Sequence, residues 1–242
     1  MNARALKEHY EAELEARSRP GGGDNRHGRR MFRAMLRACR DLPTCQLDKP
    51  ESTWVWSDLH LGHDNIIRYT NRPFADAAQM DACLYDNWEG TVGNDDDLVF
   101  VGDVAMRSAV GPHTWQRVRD ATGAKKHLVI GNHDLTGAGR LRIDGFDMIG
   151  AVLFVDGDPP LVFTHIPLTD VPEGCVNVHG HTHDETPRTT PHINVSVEQL
   201  DYRPVALPRL RRLAGRLVAG HYPGGATTLE RIDAVESEET DQ

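Results

Sequence analysis

Trp54-Val55-Trp56-Ser57-Asp58-Leu59-His60 is a short apolar run that ends on two residue types able to bind a metal ion. Four later runs end the same way: Leu98-Val99-Phe100-Val101-Gly102-Asp103, Leu128-Val129-Ile130-Gly131-Asn132-His133-Asp134, Leu161-Val162-Phe163-Thr164-His165 and Val176-Asn177-Val178-His179-Gly180-His181-Thr182-His183. Runs of this length, bounded by turn residues, read as buried strands. Strands are expected near 53–58, 97–102, 127–131, 151–155, 160–165, 175–180, 192–197 and 203–207, and helices near 64–70, 75–90, 108–121 and 206–216. Strand alternating with helix implies an α/β fold, with one sheet or two packed sheets flanked by helices. Open α/β sheets bind ligands beyond the carboxyl ends of their strands, where every candidate ligand here falls, so the five motifs should converge. Asp58 and His60, like His181 and His183, are spaced i and i+2, so extended backbone would point each pair to one face.

The order Asp-x-His, Gly-Asp, Gly-Asn-His-Asp, His, Gly-His-x-His resembles that of the calcineurin-like metallophosphoesterases across roughly residues 52 to 207. Within that superfamily the run from Ser57 to Ile66 looks like the small phosphoesterases of bacteria and their phages. The resemblance implies a four-layer α/β/β/α sandwich and a pair of metal ions. It assigns Asp58, His60 and His183 to the first ion, Asn132, His165 and His181 to the second, and Asp103 as the bridge. It also places His133 at the scissile phosphate as the group that protonates the leaving oxygen or stabilises its charge, with Asp134 orienting it. Hydrolysis would then be direct attack by metal-activated hydroxide without a covalent enzyme intermediate, since two ions about 3.5–4 Å apart can generate the nucleophile and clamp the phosphate. Histidine and carboxylate ligands suit Mn²⁺, Fe²⁺, Zn²⁺ or Co²⁺ better than Ca²⁺, and the family favours Mn²⁺.

Protein phosphatases of the superfamily carry Asp-Arg-Gly shortly after the Gly-Asp motif, whereas Val104-Ala105-Met106-Arg107 stands here. Their third motif commonly ends in Glu, and this one ends in Asp134. Too few residues follow His183 for the capping domain of the repair nucleases. The expected substrate is therefore a small phosphate ester or nucleotide, with cyclic nucleotides, the 2′,3′-cyclic isomers first, preferred. A phosphomonoesterase, a short-RNA nuclease and a non-catalytic scaffold are the alternatives.

Residues 1–50 read as a helical extension, with helices from Asn2 to Arg17 and from Arg29 to Arg40 around a break at Pro20-Gly21-Gly22-Gly23. The second helix carries Arg29, Arg30, Arg33, Arg37 and Arg40 opposite an apolar stripe, a basic face that is either solvated or an RNA contact. Residues 51–217 form the expected catalytic domain, and 218–242 an acidic segment with a disordered tail from Glu230. Asp64 is expected to cap the helix that follows it, Asp95-Asp96-Asp97 to be a solvated turn, and His63, His179 and His192 are candidate neighbours of the site.

A formal charge of −9 disfavours wholesale attraction to nucleic acid while leaving room for a local basic patch. Cys39, Cys45, Cys83 and Cys175 fit no zinc or redox spacing and read as free thiols of a reducing compartment, with a Cys39–Cys45 pair as the lesser alternative. No apolar stretch approaches the roughly 20 residues a membrane helix needs, and the expected location is cytoplasmic. Nothing in the sequence sets an oligomeric state.

Overall fold

The computed structural model describes residues 3–20, 25–106, 111–186 and 190–240. Two helices open the chain, α1 (Ala3–Ser18) and α2 (Arg26–Asp41). Leu6, Tyr10 and Leu14 of α1, four residues apart, are buried beside Phe32, Met35, Leu36 and Cys39 of α2. Asn25 caps α2, its side-chain oxygen accepting from the amides of His27 and Gly28. The Pro-Gly break lies mostly outside the described residues. The extension is more than helical, because β1 (Thr44–Gln46) pairs in parallel with β6 (Val152–Val155) and ties this segment to a sheet.

The fold is mixed α/β, with ten strands in two five-stranded sheets among the described residues. One sheet has the order β1-β6-β7-β8-β9, with β7 (Leu161–Thr164), β8 (Val176–His179) and β9 (His192–Asn194) parallel to one another. The other has the order β10-β2-β3-β4-β5, formed by β2 (Thr53–Trp56), β3 (Asp97–Phe100), β4 (Lys125–Val129), β5 (Met148–Gly150) and β10 (Val205–Ala206). In this sheet β2 to β5 are parallel and β10 antiparallel. Strands β3, β7 and β8 are buried at every residue, so both faces of each sheet are covered. An apolar cluster joins the two sheets, and Trp88 of α4 (Ala77–Thr91) packs edge-on against Trp56 and Phe100 at 5.8 and 5.2 Å.

Three further helices were expected, and one of them departs in how it is fastened. Helix α3 (Asp64–Tyr69) begins where expected, but Asp64 does not cap it. Its carboxylate accepts instead from the amide of Ala77 and so fastens α3 to the start of α4. Helix α5 (Pro112–Asp120) covers the end of the expected 108–121 segment, whose first residues are outside the described ones. Helix α6 (Leu207–Val218) contacts strands of both sheets.

The expected disordered tail is instead a helix, α7 (Thr228–Thr240). Ile232 and Val235 are buried, and the acidic side chains meet arginines of α6: Glu236 pairs with Arg209 at 2.6 Å and with Arg212, while Glu238 pairs with Arg216 at 3.2 Å. A run of carboxylates read alone looks self-repelling; the opposing arginines lie some twenty residues upstream. Arg209 first, with Arg212, holds the Glu236 carboxyl down at about 2. This depressed value makes the clasp fully present above the ordinary carboxylate range and lost as pH falls towards about 2. Glu236→Ala should destabilise α7 by about 1 kcal/mol, a partly exposed network being worth little more. Faster hydrogen exchange confined to 228–240 would show it.

The Asp95-Asp96-Asp97 turn is only partly solvated. Asp96 accepts from Trp54 Nε1, and Asp97 is buried against His127 Nε2 at 2.9 Å. The four cysteines are free thiols. No described helix is long and apolar enough to cross a membrane.

Candidate metal centre

Strands β2, β3 and β4 run parallel and in register, so the segments that follow them emerge side by side. The β2 and β3 exits stay paired, the amides of Asp58 and His60 donating to the carbonyls of Gly102 and Asp103 at 3.1 Å. From the other sheet, His165 follows β7 and His181 follows β8. A bridge between Ser57 and Ser196 joins the two sheets at this edge. The structure thereby brings Asp58, His60 and His183 into one group and Asp103, His165 and His181 into another, each able to hold a metal ion. The ligand atoms within each group lie within 4.8 Å of one another.

Extended backbone is not what aims these side chains. Asp58, His60, Asp103, His181 and His183 all have left-handed φ angles, of 59°, 53°, 54°, 69° and 45°. Such backbone costs about 1–3 kcal/mol per residue and persists where the surroundings dictate it, typically at functional sites. The i, i+2 pairs thus converge through tight turns just beyond the strands. Gly102, at φ +91°, shows why the motif needs glycine: a Cβ there would also collide with the His165 ring and with Gly131. A Cβ on Gly180 would strike Ser57 Oγ and Asp58 Oδ2.

Asp58 divides its oxygens between two tasks. Oδ2 accepts from the amide of His181 at 2.9 Å and lies 2.7 and 3.0 Å from the hydroxyls of Ser57 and Ser196. Oδ1 is buried and has no hydrogen-bond partner, and neither has His60 Nε2, 3.8 Å away. His183 Nε2 also stands 3.8 Å from Asp58 Oδ1. Buried polar atoms are rarely left unsatisfied, so the two orphaned atoms Asp58 Oδ1 and His60 Nε2, with His183 Nε2 beside them, fit a cation.

Asp103 occupies the centre. Its Oδ1 accepts from the amide of His133, while Oδ2 faces His165 Nε2 at 3.4 Å, His60 Nε2 at 3.7 Å and His133 Nε2 at 4.0 Å. It therefore touches both groups, as a bridging ligand must. Asn132 Oδ1 lies 3.2 Å from His165 Nε2, and His165 Nδ1 donates to the Val101 carbonyl. Burial opposes ionisation of Asp58 and Asp103, yet histidines outweigh it, His183 and His165 at Asp58, and His165 and His133 at Asp103. Both carboxyls are held well below their ordinary range. Burial likewise opposes charge on His165, but Asp103 and Asp58 raise it to about 10. Burial pushes His181 down to about 4 and lowers His60, leaving neutral imidazoles, the form that binds metal.

His133 is one-third exposed, its ring 4.9 Å from that of His60 and 6.2 Å from that of His63. Asp134 does not orient it. The Asp134 carboxylate accepts from the amides of Gly131 at 2.7 Å, Asp103 at 3.0 Å and Val104 at 3.1 Å, so it fixes the backbone that presents Asp103. Burial and then the Asp103 charge push its carboxyl up to about 6, against the pull of these amides.

Three further residues support the centre. His63 Nδ1 lies 3.3 Å from His60 Nδ1, which turns His60 Nε2 towards Asp58. Buried Arg72 donates to the carbonyls of Asp58 and Leu59 and pairs with Glu198 at 2.7 Å. Glu198 in turn accepts from His183 Nδ1 at 3.0 Å. Nothing in the sequence around Glu198 points to this role, and the only signal for Arg72 is an arginine in the Asn71-Arg72-Pro73 turn. His192 bonds the Leu168 carbonyl and Thr190, and His179 packs against His192, so both serve structure rather than ligation. Glu198→Gln should weaken cation binding at the His183 group by about 10–100-fold, the usual effect of losing such a partner. Calorimetric titration with Mn²⁺ would measure it.

These features define a mixed α/β protein with two adjoining residue groups, each fit for a metal ion, at the carboxyl edges of its sheets. The chain belongs to the family of the uncharacterized protein MJ1445 of Methanocaldococcus jannaschii, to which it is 30% identical over 66% of this chain and 89% of that one. It is also 28% identical to the gene 66 proteins of mycobacterium phages L5 and D29, covering 77% and 82% of their lengths. Among solved structures it is similar to the protein of unknown function AQ665 from Aquifex aeolicus, with a TM-score of 0.53 and 21% identity, covering 66% of this chain and 98% of that one. No family model matches the sequence.

Proposed function

We propose that the protein is a two-metal phosphodiesterase, that its sheets form the α/β/β/α sandwich of the calcineurin-like metallophosphoesterases, and that Mn²⁺ is its preferred ion. The observation that carries this reading is the unsatisfied, buried pair of Asp58 Oδ1 and His60 Nε2, set beside Asp103 Oδ2 among His60, His165 and His133. Asp58, His60 and His183 would hold one ion, Asn132, His165 and His181 the other, and Asp103 both. Such a pair supplies a nucleophile near neutral pH and neutralises charge on the phosphate oxygens.

The chain's own residues do the rest. Arg72 and Glu198 hold the Asp58–His60 turn and the His183 ring in place. Asp134 fixes the amides around Asp103. His133, exposed enough to reach substrate and close to Asp103, donates a proton to the departing oxygen. Cyclic 2′,3′-nucleotides are the favoured substrates, because their strained phosphate ring opens with little substrate-specific binding. The test is hydrolysis of 2′,3′-cyclic AMP by Mn²⁺-loaded protein, with Asp103→Ala as background. Turnover that vanishes in the variant supports the reading, and no turnover above that background refutes it.

A further inference from the structure

Arg26, Arg30, Arg33 and Arg37 follow one another at four-, three- and four-residue intervals, so they form one stripe on α2. With His27 and Gly137 they line an open groove of about 640 Å³. No described carboxylate pairs with Arg26, Arg30 or Arg33, in a chain whose formal charge is −9. Arg37 is used differently: it donates to the carbonyls of Gly137 and Ala138 and so fixes α2 to the loop that follows the Gly-Asn-His-Asp motif.

A second cavity of about 370 Å³ connects this stripe to the metal centre. Arg30 and His27 belong to both spaces, and Asn132 and His133 line the second. Met31, Ala34 and Leu135 give that cavity an apolar wall. An apolar slot beside His133 suits a nucleoside, and the stripe beyond it suits phosphates. From Arg26 to Arg37 the stripe extends about 16 Å at 1.5 Å per residue, longer than the phosphate chain of one nucleotide.

We propose that α2 is a strand-binding subsite and that the substrate is a short oligoribonucleotide with a 2′,3′-cyclic phosphate end. The end group sits at the metal centre, the adjoining nucleoside in the apolar cavity, and upstream phosphates on Arg26, Arg30 and Arg33. The reaction is that of the phosphodiesterase reading, on which this inference rests. A water oxygen bonds to phosphorus, the bond from phosphorus to the 2′ or 3′ oxygen breaks, and that oxygen takes a proton from His133, which the proton lost by water restores. The product is a terminal phosphate monoester.

The test uses the full-length, Mn²⁺-loaded protein with two substrates, a pentaribonucleotide ending in a 2′,3′-cyclic phosphate and 2′,3′-cyclic AMP. Binding of a fluorescent pentamer ending in 3′-phosphate is followed by anisotropy. With three phosphates neutralised, strand affinity should fall about 20-fold between 50 and 200 mM salt. Combining Arg26→Ala, Arg30→Ala and Arg33→Ala, all exposed, should flatten that dependence and collapse the kcat/KM preference for the pentamer over the mononucleotide. Equal kcat/KM for the two substrates, with salt-insensitive binding, would overturn the strand subsite while leaving the phosphodiesterase reading intact. If neither substrate is turned over, the reading beneath fails. Arginine-dependent, salt-sensitive strand binding would still support the subsite, and its absence would sink it too.

Discussion

On the proposed two-metal reading, Asp103→Ala should remove phosphodiester hydrolysis almost completely, by roughly 10⁴-fold or more in kcat/KM, since a bridge between two cations would contribute several kcal/mol of charge stabilisation. The size follows from geometry. Asp103 Oδ2 lies within 4.0 Å of His60 and of His165, one ring from each ligand group, and of His133. The same change deletes the acceptor for the His133 amide. Metal content should fall along with activity, and the loss should be as deep for an activated nitrophenyl ester as for a nucleotide. Measuring kcat/KM on both esters, with metal analysis of the same samples, checks all three expectations.

His133→Ala should behave differently. Its ring is near the centre but belongs to neither ligand group, so metal content should stay at the wild-type level. Turnover of a poor leaving group should slow by about 10²–10⁴-fold, the usual contribution of a positioned acid. Nitrophenolate leaves without a proton, so its ester should lose far less. Equal losses on the two esters would argue that His133 stabilises charge instead of donating a proton.

The five apolar runs announced both the strands and the place of the candidate ligands because buried parallel strands must be continuously apolar, and because the chain turns sharply where they end. Grouping of the candidate ligands came from the resemblance; the structure assembles Asp58 with His60 and His183, and Asp103, the expected bridge, with His165 and His181, while Asn132 Oδ1 lies 3.2 Å from His165 Nε2. How they are aimed was not legible: an i, i+2 spacing reads as strand alternation, while the left-handed φ angles depend on neighbours distant in sequence. The same distance hid Arg72 and Glu198, which are 126 residues apart and acquire meaning only when paired. Asp134 misled because adjacency to His133 suggested a side-chain partner, whereas its carboxylate turns back to backbone amides. Short edge elements such as β1 and β5 carry too few residues for a period, and α7 depends on arginines of α6 that no local window contains.

The most direct test of the central claim is metal stoichiometry. Metal-stripped protein would be dialysed to equilibrium against Mn²⁺ and the bound ion counted by mass spectrometry, alongside Asp103→Ala and Asp58→Ala. The two-metal reading predicts two ions per chain in the wild type, about one in Asp58→Ala and fewer than one in Asp103→Ala. A wild-type protein that binds no ion, or binds the same number as Asp103→Ala, would contradict it.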